Sequence, residues 1–243
     1  MPSAEKVIVF DIWGDYAHFR RGYTTTSPLT YPFPTRTVLS GTLAAILGLP
    51  RDSYYDLFRK ENSAFALQIL NPIKKIRFTQ NLIDTKTGFY LWDNRGQRTQ
   101  IPFEYLKDPK FRIYTWVKKK FDELVVLLEK HKSFYTPYLG ISECIANFDY
   151  VGIFDAESKG ADDDIVEIYS TIKKDNDIAI MPEPGKKYGR IKIPGFMDNS
   201  RVVQEFLEII YEEDGKTIKI SKGRYYKVKG LKENGKEVNV VFF

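Results

Sequence analysis

The side chains able to do chemistry in this 243-residue chain are few: two histidines, one cysteine and a run of three aspartates. His18 stands close to Arg20 and Arg21, with Tyr16, Tyr23 and Tyr31 near by, and His131 lies between Lys130 and Lys132. A histidine among cations can take a proton from a ribose 2′-hydroxyl while a cation holds the phosphate, which is what metal-independent RNA cleavage requires. The same pattern is more often a binding contact or a cation at a helix end. Asp162, Asp163 and Asp164 are hard ligands, but three consecutive carboxylates cannot all face one ion, so they read as a solvated loop. Cys144 sits in an apolar strand-like segment and reads as a buried structural thiol. Gly185-Lys-Lys-Tyr-Gly189 lacks the spacing and the Lys-Ser/Thr ending of a phosphate-binding loop, and neither GxGxxG nor GxSxG occurs. One cysteine and two distant histidines exclude a disulfide framework, a Cys-rich zinc site and an HExxH motif. No metal and no cofactor is expected.

Charge gives a stronger signal than nucleophiles. Residues 1–121 carry 19 Lys and Arg against 10 Asp and Glu, a balance of +9, while residues 122–243 balance at −4. With 15% aromatic residues, a basic half suits a nucleic-acid binder, because cations meet phosphates and rings stack on bases. The cations fall in groups. Arg20, Arg21 and Arg36 bracket a long loop and the start of a helix, where free backbone N–H groups also favour phosphate. Lys74, Lys75 and Arg77 lie on a strand, and Arg95 and Arg98 lie beside Trp92 at a hairpin tip. Lys118, Lys119 and Lys120 open a second helix, where an anion would relieve their conflict with the macrodipole.

These residues need a scaffold, and the periodicity supplies one. Lys6–Trp13 reads as a buried first strand, followed by a long Gly14–Pro34 loop whose prolines and aromatics favour order. Thr35 caps a helix with Val38, Leu39, Leu43, Ile46 and Leu47 on one face, ended by Gly48 and Pro50. Gly41 sits inside that helix at a cost of about 1 kcal/mol against alanine, through close backbone approach or tight packing. Ala64–Leu70 and Ile73–Thr79 read as strands around Asn71-Pro72; Thr87–Leu91 and Thr99–Phe103 read as a hairpin turning at Asn94 and Gly96. Phe111–Val117 is a strand, residues 118–132 a helix with Phe121, Leu124, Val125 and Leu128 inward, and Gly140–Gly152 a strand. That order follows the βαββαβ plan of a ferredoxin-like or RNA-recognition-motif domain with an inserted hairpin. After Gly152 an acidic loop leads into a β-rich third. Phe206–Tyr211 is expected to pair with Thr217–Ser221 across Asp214-Gly215, and Arg224–Lys229 with Glu237–Phe243 across Asn234-Gly235; a helix over Val202–Ile210 is the alternative. The expected fold class is therefore α+β, with residues 1–152 as one domain and 153–243 as a C-terminal β-rich unit. No apolar run approaches the roughly 18 residues that span a bilayer, and the N-terminus lacks signal-peptide features, so the simplest reading is a soluble cytoplasmic protein with no membrane partner.

Three blocks carry a resemblance: Phe10-Asp-Ile-Trp-Gly-Asp-Tyr-Ala-His-Phe-Arg20, Tyr31-Pro-Phe-Pro-Thr-Arg-Thr-Val-Leu-Ser-Gly41 and Tyr138-Leu-Gly-Ile-Ser-Glu143. In this order they resemble the fifth Cas family, the CRISPR-associated subunits of type I Cascade complexes, most like its I-B-like branch. The resemblance implies a palm resembling the RNA-recognition motif, a β-hairpin thumb at about residues 81–103, and a variable C-terminal unit. It implies binding of the 5′ handle of crRNA, capping of the backbone filament in antiviral defence, and contacts with the backbone subunit and the large subunit. Basic patches and motif blocks together give the expected RNA-contacting set: Arg20, Arg21, Tyr31, Arg36, Ser40, Lys74, Arg77, Arg95, Arg98, Tyr138 and Gly140. In type I-C systems a branch of this family is itself the processing ribonuclease, with a Tyr, Lys and His set and a histidine before the "PYLG" block. Here that segment is Ser133-Phe-Tyr-Thr136, without histidine. The expectation is thus a non-catalytic binding subunit with no catalytic residues. The alternatives are a metal-independent endoribonuclease acting on CRISPR repeat RNA and a free-standing RNA-binding regulator.

Overall fold

Alternation decides the first element. Val7, Val9 and Asp11 point to one side of a strand and Ile8, Phe10 and Ile12 to the other, and all are buried. Such a strand belongs at the middle of a sheet covered on both faces, as the structure, a computed structural model, shows. It describes residues 4–24, 26–83, 98–162, 164–175 and 177–243. The elements are β1 (Ala4–Trp13), β2 (Tyr16–Ala17), α1 (Arg36–Leu47), β3 (Ser63–Ile69), β4 (Lys75–Ile83), β5 (Arg98–Lys107), β6 (Lys110–Val117), α2 (Phe121–Glu129) and β7 (Asn147–Gly160). Then come β8 (Val166–Ile168), β9 (Ile172–Lys173), β10 (Ala179–Met181), β11 (Tyr188–Met197), β12 (Val203–Glu212), β13 (Ile218–Lys222), β14 (Arg224–Glu233) and β15 (Lys236–Val240). The fold is mostly β, with two helices among the described residues.

Six strands form the main sheet in the order β15-β14-β7-β1-β6-β3, every neighbouring pair antiparallel. On one face Ile8, Phe10, Phe65, Leu67, Phe111 and Ile113 pack with Leu39, Leu43 and Ile46 of α1 and Leu124 and Leu128 of α2. Each such side chain contributes roughly 1.5–3 kcal/mol by leaving water. The α1 boundaries follow its caps. Thr35 Oγ1 accepts from Val38 N, and Gly48 takes the left-handed conformation at φ 69° that ends the helix. The other face is covered by the C-terminal hairpin, where Val228, Val238 and Val240 lie over Val7, Val9, Ala66 and Tyr114. At its polar end Arg112 grips Asp11 with two bonds of 2.7 and 3.0 Å and donates to Glu233 at 2.8 Å. Glu233 accepts from Gln68, which accepts from the Tyr114 hydroxyl. The charges are thus paired where the sheet would otherwise be open.

Several sequence expectations change here. The expected boundary at residue 152 falls inside β7, whose outer half carries β14. The last two strands, β14 and β15, therefore extend the first sheet, whereas β8 to β13 form two three-stranded sheets of their own, and the chain end crosses to the first sheet's far edge, where Phe243 N donates to Phe65 O at 2.8 Å. Gly140–Gly152 is a strand only from Asn147; residues 140–146 form a turn. Ala64–Leu70 and Ile73–Thr79 are strands as expected, in different sheets: β3 pairs with β6, and β4 pairs with β5. The hairpin arm is thus longer than expected, while Thr87–Leu91, Trp92 and the turn at Asn94 and Gly96 lie outside the described residues. Asp214-Gly215 turns the chain but makes no hairpin. The buried Glu212 carboxylate accepts from Asp214 N, Lys216 N and Lys187 N, steering β13 to β8 and β10 while β12 pairs with β11 and β9. Asn234-Gly235, both at positive φ, does close the β14–β15 hairpin. Among the described residues no helix is long and apolar enough to cross a membrane.

Candidate nucleic-acid interface

The β4–β5 ribbon is the element with two chemically different faces. Its register runs from Lys75 opposite Leu106 to Ile83 opposite Arg98. Strand alternation then sends Ile76, Phe78, Leu82, Ile101, Phe103 and Tyr105 to one face. Lys75, Arg77, Glu104 and Arg98 go to the other. On the apolar face Phe78 meets Tyr105 at 5.6 Å and Tyr16 at 5.4 Å between ring centroids, and Phe103 stacks on Tyr105 at 6.2 Å. Phe78 and Leu82 nevertheless stay about two-fifths exposed, at 43% and 39%. Sequence reading missed this face, although the period-two pattern of Ile76-x-Phe78 and Ile101-x-Phe103-x-Tyr105 carries it.

Glu104 anchors the opposite face. Its nearly buried carboxylate lies 3.2 Å from Lys75 Nζ and 3.8 Å from Arg77, and accepts from Thr30 N. Its backbone N donates to Pro28 O and its carbonyl accepts from His18 Nδ1 at 2.7 Å. One residue thereby fastens the Gly14–Pro34 loop to the ribbon and draws Lys75 and Arg77 toward the arginines of that loop. Arg21 donates to Thr30 O and Tyr23 Oη, and its guanidinium lies over the Tyr31 ring. Arg20 is exposed and bridges to Thr30. Lys74 is exposed next to this group, and Arg98 is exposed at the far end of β5. Arg95 lies outside the described residues.

Other expected contacts sit elsewhere. Arg36 is 3% exposed: its guanidinium donates to Phe58 O, Ser63 O and Ser63 Oγ and lies 5.0 Å above the Phe65 ring. Burial lowers its pKa to about 10, which keeps it charged at neutral pH. It holds the α1 entry to β3 from inside and does not reach solvent to meet a phosphate; position in the first helical turn does not reveal which way a side chain turns. Ser40 is also inside, its hydroxyl bonded back to Arg36 O. Tyr31 is 5% exposed and serves as the floor under Arg21. Tyr138 is exposed, and Gly140, at φ 94°, presses on His18, whose carbonyl oxygen a Cβ there would meet at 2.1 Å. The lysines do not open α2 against its dipole: Lys120 lies before the helix in a left-handed conformation and pairs with Glu123, and Asp122 and Glu123 fill the first turn.

The histidines separate. His18 is sealed among Phe103, Tyr105 and the Leu139 backbone, with Nε2 unpartnered; burial first, then the Arg20 charge, pushes its pKa down, so the ring is neutral. His131 is exposed, stacked on Phe148 at 4.7 Å, with Asp149 at 3.9 Å. Cys144 is buried, its thiol pushed up to about 11. Among the described residues no group of three or more His, Cys, Asp and Glu could hold a metal ion.

The family model described as CRISPR-associated protein (Cas_Cas5) matches residues 7–190. A curated relative, the CRISPR pre-crRNA endoribonuclease Cas5d of Thermus thermophilus, is 27% identical over 150 residues, covering 56% of this chain and 61% of its own length. The chain thus spans about three-fifths of that relative. A crystal structure of a CRISPR protein from Archaeoglobus fulgidus superposes with a TM-score of 0.55 at 12% identity, covering 97% of this chain and 98% of its own. A chain of a CRISPR RNA-guided surveillance complex gives 0.52 at 12% identity, covering 86% and 91%. At such identities these two likenesses speak for the fold.

Proposed function

The chain belongs to the CRISPR-associated Cas5 family, and from that premise we propose that it is a non-catalytic, RNA-binding subunit of a type I surveillance complex. It grips the 5′ handle of crRNA and caps the backbone filament, touching the backbone subunit and the large subunit. The observation that carries the reading is the junction at Glu104, which draws Lys75 and Arg77 toward Arg21 and Arg20 on the basic side of an aromatic ribbon. Cations there meet phosphates, and the ribbon's other face offers rings to bases or to a neighbouring subunit. Arg20, Arg21, Lys74, Arg77, Arg98 and Tyr138 are the exposed or half-buried contacts; Arg95 belongs with them by its position in the sequence. The order β7-β1-β6-β3 with α1 and α2 on one face supports the ferredoxin-like label for the palm, and the β4–β5 ribbon is its thumb.

The second reading is a metal-independent ribonuclease that processes repeat RNA, favoured by the activity in the relative's name. Against it stand the burial of His18, which keeps its ring away from a substrate hydroxyl, and the lack of histidine in Ser133–Thr136. Incubation of the purified chain with the repeat RNA of its own array in chelator separates the two. The binding reading expects a stable complex with intact RNA. Site-specific cleavage that disappears in His131→Ala would establish the enzyme instead.

A further inference from the structure

Gly41 stands in the middle of α1, yet nothing in the packing of the helix requires a glycine. It is not in the left-handed region, and a Cβ there would meet only the Tyr54 hydroxyl, at an ordinary 3.5 Å. What the missing side chain leaves is space: a cavity of about 220 Å³ between α1 and the Pro137–Gly140 turn, lined by Val38, Gly41, Thr42, Tyr54, Tyr138 and Gly140 among others. It falls below the roughly 300–1,000 Å³ of sites for drug-sized ligands, so it suits one flat ring and not a longer chain.

The chemistry of the walls narrows the occupant. No lining side chain is charged, and the Thr42 hydroxyl is already bonded to Val38 O. Two tyrosines supply ring faces and phenols; Tyr138 is 47% exposed at the mouth. The charges lie at the rim. Arg51 and Arg201 act on the Tyr54 phenol from one side, against Asp52, which pairs with both. On the other side Gly140 abuts His18, two residues before the exposed Arg20. An uncharged aromatic slot matches a base, and the one rim where Arg51 and Arg201 outnumber Asp52 keeps a net positive charge for its phosphate.

We propose that the cavity between α1 and the Pro137–Gly140 turn takes one nucleobase of single-stranded RNA, stacked against Tyr138 and Tyr54, and that Gly41 is glycine to leave room for it. This rests on the RNA-binding reading above. The test measures anisotropy of labelled octa-adenylate and octa-uridylate against an abasic octamer with the same number of phosphates, across a salt series. The wild type binds base-bearing RNA better than the abasic strand, and Gly41→Leu, which fills the cavity, weakens the base-bearing strands about tenfold without altering abasic affinity or salt slope. Gly41→Ala should raise Tm, as alanine favours the helix, while narrowing the slot and reducing base preference in part. Tyr138→Leu, a surface change that spares the fold, should lower base preference even where Gly41→Leu fails to fold. Salt-dependent binding with wild-type base preference in these variants overturns the pocket and leaves the RNA reading intact. The same unchanged preference with failed subunit assembly overturns it in favour of a protein side chain. Absence of RNA binding by the wild type at any salt removes both readings.

Discussion

A guanidinium inside a protein rarely lacks a carboxylate within ion-pair reach, and among the described residues Arg36 has none. Its charge is met by two carbonyls, a hydroxyl and the Phe65 face, with one Nη unpartnered. Arg36→Ala leaves those acceptors buried and unsatisfied, and we expect a loss of about 2–4 kcal/mol in urea denaturation; RNA affinity of the folded fraction should change little. An unchanged midpoint with weakened RNA binding would return Arg36 to the surface. His18 gives the pH dependence. Its folded pKa is depressed below the ordinary 6.5, so below that value the unfolded chain binds a proton that the folded chain refuses. Its contribution is complete above pH 6.5 and is lost as pH falls toward the folded pKa. Between pH 7 and 5, Tm should therefore fall more in the wild type than in His18→Gln; parallel curves would contradict the assignment. The sequence shows Arg36 in a motif and His18 beside arginines, but composition carries no information on which side chains turn inward. That depends on contacts with Phe58, Ser63 and Glu104, distant along the chain.

At the scale of elements, local signals sufficed where the structure is local. Thr35, Gly48 and the apolar stripe gave α1 within a residue at each end, and Asn234-Gly235 gave the last hairpin. They failed where partners are non-local. Asp214-Gly215 has the same chemistry, yet Glu212 turns it into a crossing between sheets. The β4–β5 ribbon was half legible: its cations were evident, whereas its apolar face needed the register that only pairing supplies. Its two faces make separable predictions. Phe78→Ser should leave the palm folded, because Phe78 packs on Tyr16 and Tyr105 at the ribbon and stays about two-fifths exposed. It should impair assembly with the backbone subunit in size-exclusion chromatography of the reconstituted complex. Normal assembly would take the apolar face out of the subunit contact.

At the scale of the whole molecule, the C-terminal hairpin closes one face of the main sheet and the helices close the other, and the ribbon and the Gly14–Pro34 loop gather Arg20, Arg21, Lys75 and Arg77 around the single carboxylate of Glu104. The +9 balance of residues 1–121 announced this, while the closure of the sheet by β14 and β15 was not legible, because β7 shows no break to mark where the second half joins. The central claim is that RNA is held through the basic side of the ribbon and its neighbouring loop. The most direct test is a titration of repeat-derived single-stranded RNA over a salt series, comparing the wild type with Lys75→Gln/Arg77→Gln. Each phosphate contact on a single strand adds about 0.7 to the slope of log K against log salt. The account predicts a steep wild-type slope that drops by about 1.4 in the double variant, with the fold unchanged by circular dichroism. A salt-independent affinity, or an identical slope in the two proteins, would contradict it.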